Sequence, residues 1–154
     1  MPDESKIVVG FGQKLSGTPG QVILILTNFS WHRLDAHAIP VWGDYKATHL
    51  DLAIRDKNFT PSDQSGLSEK TPISQVSFSV ANQTAYHYIQ VPFLVVLYAN
   101  NQIVSVNRYV VGDLPAQGQA IGSFSIIGSV PPITSVDVVP DLNIFDKSFS
   151  APIK

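Results

Sequence analysis

The histidines have the widest chemical range in this sequence, because an imidazole can bind a metal ion or transfer a proton near neutral pH. Two of the four, His32 and His37, lie close to Asp35 in the segment that begins at Trp31 and ends at His37. In an extended strand His37 and Asp35 share one face and His32 points to the other, so a metal site needs a bend. No third ligand is evident. We therefore predict solvated or hydrogen-bonded loop histidines and no bound metal.

The patterns of other catalytic centres are missing from the sequence. The nucleophile motif Gly-x-Ser-x-Gly does not occur, and the nearest segment, 122–126, lies in a strand pattern. Gly10 and Gly12 lack both the third glycine and the helix of a dinucleotide site. The chain contains no cysteine, which excludes thiol catalysis, disulfides and cysteine-ligated metals. We predict a protein that is not an enzyme, with no catalytic residue and no cofactor.

Aromatic residues form the clearest candidate for a binding surface. They fall in segments predicted to connect strands, where exposed Trp and Tyr give a large contact area at low entropic cost. Packing at the end of a β-sandwich is the competing interpretation, because immunoglobulin-like domains keep a core tryptophan. The residues of this possible binding surface are Trp31, Trp42, Tyr45, Tyr86 and Tyr88.

Three Asn-x-Ser/Thr triplets begin at Asn28, Asn58 and Asn82. In a eukaryotic secreted protein such triplets are glycan acceptors. Asn28 and Asn82 fall at the ends of predicted strands, where an asparagine also stabilises turns by bonding to the backbone. Both interpretations stay open for these positions.

The charge of the chain excludes one class of partner. The net charge is −2, the pI is about 6.0, and charged residues make up 14% of the chain, against about 25% in a typical globular protein. Nucleic acids and anionic membrane surfaces are bound by dense Lys and Arg, which this chain lacks. We predict protein partners, possibly including further copies of the chain itself, and no nucleic acid.

The periodicity of the apolar residues predicts an all-β fold. They recur at every second position or in short runs, with frequent β-branched residues and turns rich in proline and glycine. Seven or eight such strands are typical of an antiparallel sandwich of the immunoglobulin type. The predicted strands are Lys6–Phe11, Gln21–Asn28, Thr48–Asp56, Ile73–Asn82, Val91–Tyr98, Ile103–Val111, Gly122–Ile127 and Thr134–Val139.

The same pattern suggests how the chain is organised. Residues 46–154 supply enough strands for a sandwich, whereas 1–45 supply two and cannot bury a core alone. The first segment therefore either completes the sandwich or is the end of a neighbouring unit. The polar segment Asn58–Thr71 is predicted to be a loop or linker, and Val91–Val111 a hairpin turning at Asn100 and Asn101.

The C-terminal half resembles the FxLYD-like, immunoglobulin-like or fibronectin-III-like domains of bacterial membrane-anchored proteins. The resemblance covers about residues 72–147. It rests on Phe93-Leu-Val-Val-Leu-Tyr98, on 103–108, on Leu114-Pro-Ala, and on 138–140 with 143–146. Ala99 stands where the family usually has Asp. The resemblance implies a β-sandwich on the extracytoplasmic side of a membrane, often after an anchoring helix, and it carries over no catalytic residue.

Three functions follow as expectations. The first is a non-enzymatic interaction or structural module of a membrane- or envelope-associated assembly. The second is a self-assembling subunit of an extracellular filament or surface layer, joined through an edge strand or through 1–45. The third is a carbohydrate-binding module that uses the aromatic residues. The chain as written would be cytoplasmic; the resemblance places it outside the cytoplasm, with a signal or anchor removed and with the membrane reached only through that anchor.

Overall fold

The structure is a computed structural model, and it describes residues 7–10, 23, 25, 27–28, 37, 39, 41–146 and 149–152. By its internal contacts the chain divides into two units, Met1–Pro40 and Val41–Lys154. The structure describes residues 7–10 of the predicted strand Lys6–Phe11 and residues 23, 25, 27 and 28 of Gln21–Asn28, and none of these described residues is in a strand; Trp31 lies outside the described residues. The fold described below is that of the second unit.

The second unit is built mainly of strands. Its elements follow the order α1, β1, α2 and then β2 to β7 along the chain. Their bounds are α1 Trp42–Leu50, β1 Leu52–Thr60, α2 Ser62–Ser65, β2 Ile73–Asn82, β3 Tyr86–Ala99, β4 Gln102–Leu114, β5 Gln119–Ile127, β6 Ser135–Pro140 and β7 Ser150–Pro152.

The strands form two antiparallel sheets. In the first sheet β2 lies between β1 and β5. In the second, β3 lies between β4 on one side and β6 with β7 on the other, because β6 and β7 pair with successive parts of the long β3. The prediction of a mostly β chain with antiparallel sheets is confirmed.

The core lies between these two sheets. Strand β2 buries every second residue, so Val76, Phe78 and Val80 face inward, as the alternation predicted. The second sheet contributes Phe93 and its neighbours on β3, and the rings of Phe78 and Phe93 meet edge to face with centroids 5.5 Å apart. Edge-to-face contact is a favoured arrangement of aromatic pairs, so this contact stabilises the packing of one sheet on the other.

Strand β3 is buried on both faces. Val95 and Leu97 belong to the core, whereas Leu94 and Val96 point to the opposite face and are nevertheless 6% and 0% exposed. Its unbroken apolar run is typical of a central strand with both faces covered, and the structure shows that burial.

The hairpin prediction is also confirmed. Strands β3 and β4 pair antiparallel along most of their length, and the turn between them is formed by Asn100 and Asn101. Both asparagines have positive φ angles, 50° and 65°. A two-residue turn of this kind matches the right-handed twist of the strands, and asparagine tolerates the conformation better than most residues.

Several predicted boundaries are wrong, and Tyr86 and Tyr88, predicted to lie in a connection before Val91, are at the start of β3. Thr48 was predicted to begin a strand, but it lies in helix α1, and the strand starts at Leu52. The segment Asn58–Thr71, predicted to be a loop, contains the end of β1 and the short helix α2. The helical spacing of three aromatic rings explains the difference at Thr48 and is described with the site below.

The turn between β4 and β5 depends on two neighbouring residues. Gln117 carries a positive φ angle, 56°. Gly118 is required because there is no space for a side chain. A Cβ atom at this position would lie 3.0 Å from the carbonyl oxygen of Pro115, the group that accepts the hydrogen bond of the Gly118 amide.

Gly122→Ala is expected to lower the free energy of unfolding by about 1–3 kcal/mol, because it overpacks the core. Gly122 pairs with Phe78 across the first sheet, and a Cβ atom at Gly122 would lie 2.4 Å from Cζ of the Phe78 ring. Chemical denaturation measures the loss. Gly112→Ala is the matched control, because a Cβ atom there meets nothing within 4 Å. Equal losses in the two variants would contradict the prediction.

Candidate binding surface

Helix α1 places aromatic rings along one of its faces. Trp42, Tyr45 and His49 are spaced three and four residues apart, which puts them on the same side of a helix. Trp42 stacks on Tyr45 with ring centroids 6.0 Å apart, and Tyr45 stacks on His49 at 4.0 Å. Nδ1 of His49 lies 2.8 Å from the carbonyl oxygen of Tyr45 and therefore donates to it. This spacing is the helical signal that the period-two analysis missed.

The stack continues beyond the helix at both ends. Phe145, in the segment after β6, stacks on Trp42 at 5.8 Å and on Tyr45 at 5.7 Å. Tyr86, the first residue of β3, stacks on His49 at 4.5 Å. We call these five residues the aromatic stack. Its ring faces are largely occupied by one another, so it joins α1 to β3 and to the C-terminal segment.

The five residues of the predicted surface are thus placed differently. Trp42, Tyr45 and Tyr86 come together in the aromatic stack, and Trp31 lies outside the described residues. Tyr88 is only 2% exposed, and its hydroxyl donates to the backbone carbonyl of His49. Burial raises the pKa of the Tyr88 hydroxyl above its ordinary value. Tyr88 therefore holds the last turn of α1 through this hydrogen bond and offers no ring face to a binding partner.

A small hollow lies beside this stack. It is lined by His49, Tyr88, Asn143, Asp146 and Phe149 among others, and its volume is about 10 Å³. That volume holds about one water molecule. Ligand pockets are far larger. In the part of the chain that the structure describes, no three His, Asp or Glu side chains converge as metal ligands.

The remaining described histidines have different surroundings. His37 is exposed. Nε2 of His87, on β3, lies 2.8 Å from Oδ1 of Asp113 on β4, and both side chains are well exposed. An ion pair in this setting is screened by water and contributes little to stability.

Asn82, the last residue of β2, is the most heavily bonded side chain of the described residues. It is 1% exposed. Its Nδ2 donates to the carbonyl oxygens of Tyr86 and Pro115, both at 2.8 Å. Its Oδ1 accepts from the amide and hydroxyl of Thr84, at 3.0 and 2.7 Å. Because Nδ2 is buried and bonded, the folded protein uses Asn82 to tie three chain segments together and leaves no room there for a glycan.

The edge of the first sheet at β5 is a feature that the search for chemical motifs missed. Among the described strands β5 pairs only with β2, and the register runs without a shift from Ala81–Gln119 to Ile73–Ile127. The strand contains no charged residue and no proline. Ile121 and Ile127 project from its outer face and are 77% and 76% exposed. An exposed, regular and uncharged edge of this kind is a template for pairing with another strand.

The opposite edge of the same sheet, β1, is protected from such pairing. Its register shifts between Arg55 and Asn58, and Asp56 adopts a positive φ angle of 51°. The carboxylate of Asp56 accepts a hydrogen bond of 2.6 Å from Ser79, and Lys57 reaches Asp137 of the other sheet at 2.9 Å. A bulge and charged side chains are devices that prevent edge-to-edge association. The contrast singles out β5 as the accessible edge of the first sheet.

The two sheets and the contrast between the β1 and β5 edges define the class of the second unit. It is a two-sheet antiparallel β protein of sandwich-like architecture. Comparison with family models, curated proteins and solved structures gives no match to the chain. Neither α1 nor α2 has the length and hydropathy that a bilayer-crossing helix needs, and the same holds for every helix among the described residues.

Proposed function

We propose that this protein is a non-enzymatic, immunoglobulin-like interaction module of an extracytoplasmic, membrane- or envelope-associated assembly. It binds protein by accepting an added strand at β5. The observation that carries the proposal is the contrast between the two edges of the first sheet, one regular and uncharged, the other bulged and charged. In this binding mode backbone hydrogen bonds give affinity, and side chains on alternate positions give specificity.

Two further observations support an interaction module. The aromatic and polar side chains with the most contacts are those of the aromatic stack and of Asn82. Their contacts join elements of the fold to one another. The resemblance of 72–147 to FxLYD-like domains supports the immunoglobulin-like topology, the extracytoplasmic location and the anchored context. The exposed isoleucines of β5 supply the apolar contacts that a partner strand would cover.

A strand-forming peptide tests this function. The probe is a capped peptide of alternating threonine and valine with flanking serines, titrated into the whole chain and followed by backbone amide chemical shifts. We expect shifts along β5 and slower hydrogen exchange at every second amide of β5, because only alternate N–H groups point away from β2.

Ile121→Lys is expected to weaken the peptide about fivefold, because a lysine on an edge strand opposes pairing and removes a cross-strand apolar contact. Ile103→Lys, the same change at an exposed isoleucine of β4 in the other sheet, should leave the affinity unchanged. Shifts confined to β1 or β4, or no shifts at millimolar peptide, would overturn the proposed function.

A further inference from the structure

The sequence of β5 limits the kinds of strand that can pair with it. We propose that β5 pairs antiparallel with β5 of a second copy of this chain, so that the two three-stranded sheets continue into each other. This inference rests on the proposed function and names its partner. The arrangement is a two-fold symmetric interface, in which the same surface is used by both copies.

The absence of charge is the first argument for a second copy. In a two-fold antiparallel pair each residue lies opposite the symmetric position on the other side of the strand's centre, so a charge is balanced only when that position carries the opposite charge, and a strand without charges avoids like-charge repulsion. From Leu114 to Val136 the sequence contains no Asp, Glu, Lys or Arg. The other edge strands of more than three residues do not share this property, because β1 contains Arg55 and Lys57, β4 contains Arg108, and β6 contains Asp137.

The order of side chains along β5 is the second argument. When Phe124 lies opposite Phe124 of the partner subunit, Ile121 lies opposite Ile127 of the partner subunit, and Ser123 opposite Ser125 of the partner subunit. The outer face then pairs apolar with apolar and polar with polar at every position. Centring the pair one residue earlier, on Ser123, sets Ile121 opposite a serine and Ile127 opposite a glutamine. The sequence of β5 is therefore complementary to itself in one register.

The exposure of the isoleucines supplies the driving force. Ile121 and Ile127 are the most exposed large apolar residues among those described. In the pair each would contact an isoleucine of the second copy. Burying this apolar surface lowers the free energy of association through the hydrophobic effect.

Cysteine cross-linking tests both the pairing and its register, because the chain contains no cysteine of its own. Ser123 and Ser125 are exposed and lie on the outer face of β5. Residues directly opposite each other in an antiparallel pair have Cα atoms about 4.5–5.5 Å apart, within the range that a disulfide spans, whereas diagonal neighbours lie at about 7–8 Å. Whole chains with Ser123→Cys and with Ser125→Cys are oxidised mildly, separately and as an equal mixture.

We expect the mixture to give a cross-linked dimer of one chain of each kind at least fivefold faster than either variant alone. Ser135→Cys, at an exposed position of β6, measures collisional cross-linking, and Ile121→Lys added to both cysteine variants should reduce the mixture to that level. Equal rates for the mixture and for Ser123→Cys alone would overturn the register. A mixture no faster than Ser135→Cys would overturn self-pairing, while the peptide titration decides separately whether β5 accepts a strand.

Discussion

Phe78→Ala is expected to lower the free energy of unfolding by about 3–5 kcal/mol, the range found when a buried phenylalanine is truncated. The Phe78 side chain is 1% exposed. Its ring meets Phe93 and Tyr109 of the second sheet, with centroids 5.5 and 5.8 Å away, and covers Gly122 of its own sheet. Removing it leaves a cavity that none of these neighbours can fill without moving a strand.

Denaturant unfolding followed by tryptophan fluorescence and by circular dichroism measures this loss. Phe145→Ala is the matched control, because it removes the same atoms from a ring that is 40% exposed and lies outside the core. Its loss should be clearly smaller. A loss of less than 1 kcal/mol for Phe78→Ala would mean that the two sheets do not share the core described above.

The strands of the core were predictable because their burial is regular. In β2 polar and apolar residues alternate, and in β3 the apolar run is unbroken, so each pattern determines how many faces of the strand are covered. The turn between β3 and β4 was predictable for a similar reason, since few residues other than asparagine and glycine adopt its positive φ angles.

Helix α1 was not predicted, and the reason lies in what stabilises it. Its nine residues are too few for a stable isolated helix, and none of them is buried in the core. Its order comes from contacts that are distant in sequence, because Tyr86 and Phe145 stack on rings of the helix. The period-two pattern of residues 48–56 gives no sign of a stacking ring that lies almost one hundred residues further along the chain.

The binding edge was missed for a related reason. The candidate residues of the sequence were those with reactive or aromatic side chains. Strand β5 has one aromatic residue and no reactive group. Whether a strand lies at an edge depends on the sheet order, which local patterns do not encode. The absence of charge between Leu114 and Val136 was visible in the sequence, but its meaning required knowing that the segment includes an edge strand.

Asn82→Ala is expected to lower the free energy of unfolding by about 3 kcal/mol, because each buried polar group left without a partner costs about 1–3 kcal/mol. The change deprives the Thr84 amide of its acceptor and the carbonyl groups of Tyr86 and Pro115 of their donor. Denaturant unfolding measures the loss. Asn58→Ala is the matched control, because Asn58 is exposed and makes one side-chain bond of 3.3 Å, and it should cost less than 1 kcal/mol.

Asn82→Asp separates hydrogen bonding from packing, because it keeps the shape of the side chain. The oxygen that accepts from the amide and hydroxyl of Thr84 is retained, but the second oxygen would face the carbonyl oxygens of Tyr86 and Pro115 at the distance where Nδ2 now donates. Burial and these carbonyls disfavour the carboxylate, so the pKa of the introduced acid should be raised in the folded state. Its destabilisation is then full at neutral pH and shrinks as the pH falls toward 4, because the protonated acid can donate to one carbonyl. A stability gap to the wild type that stays constant between pH 7 and 4 would contradict this account of Asn82.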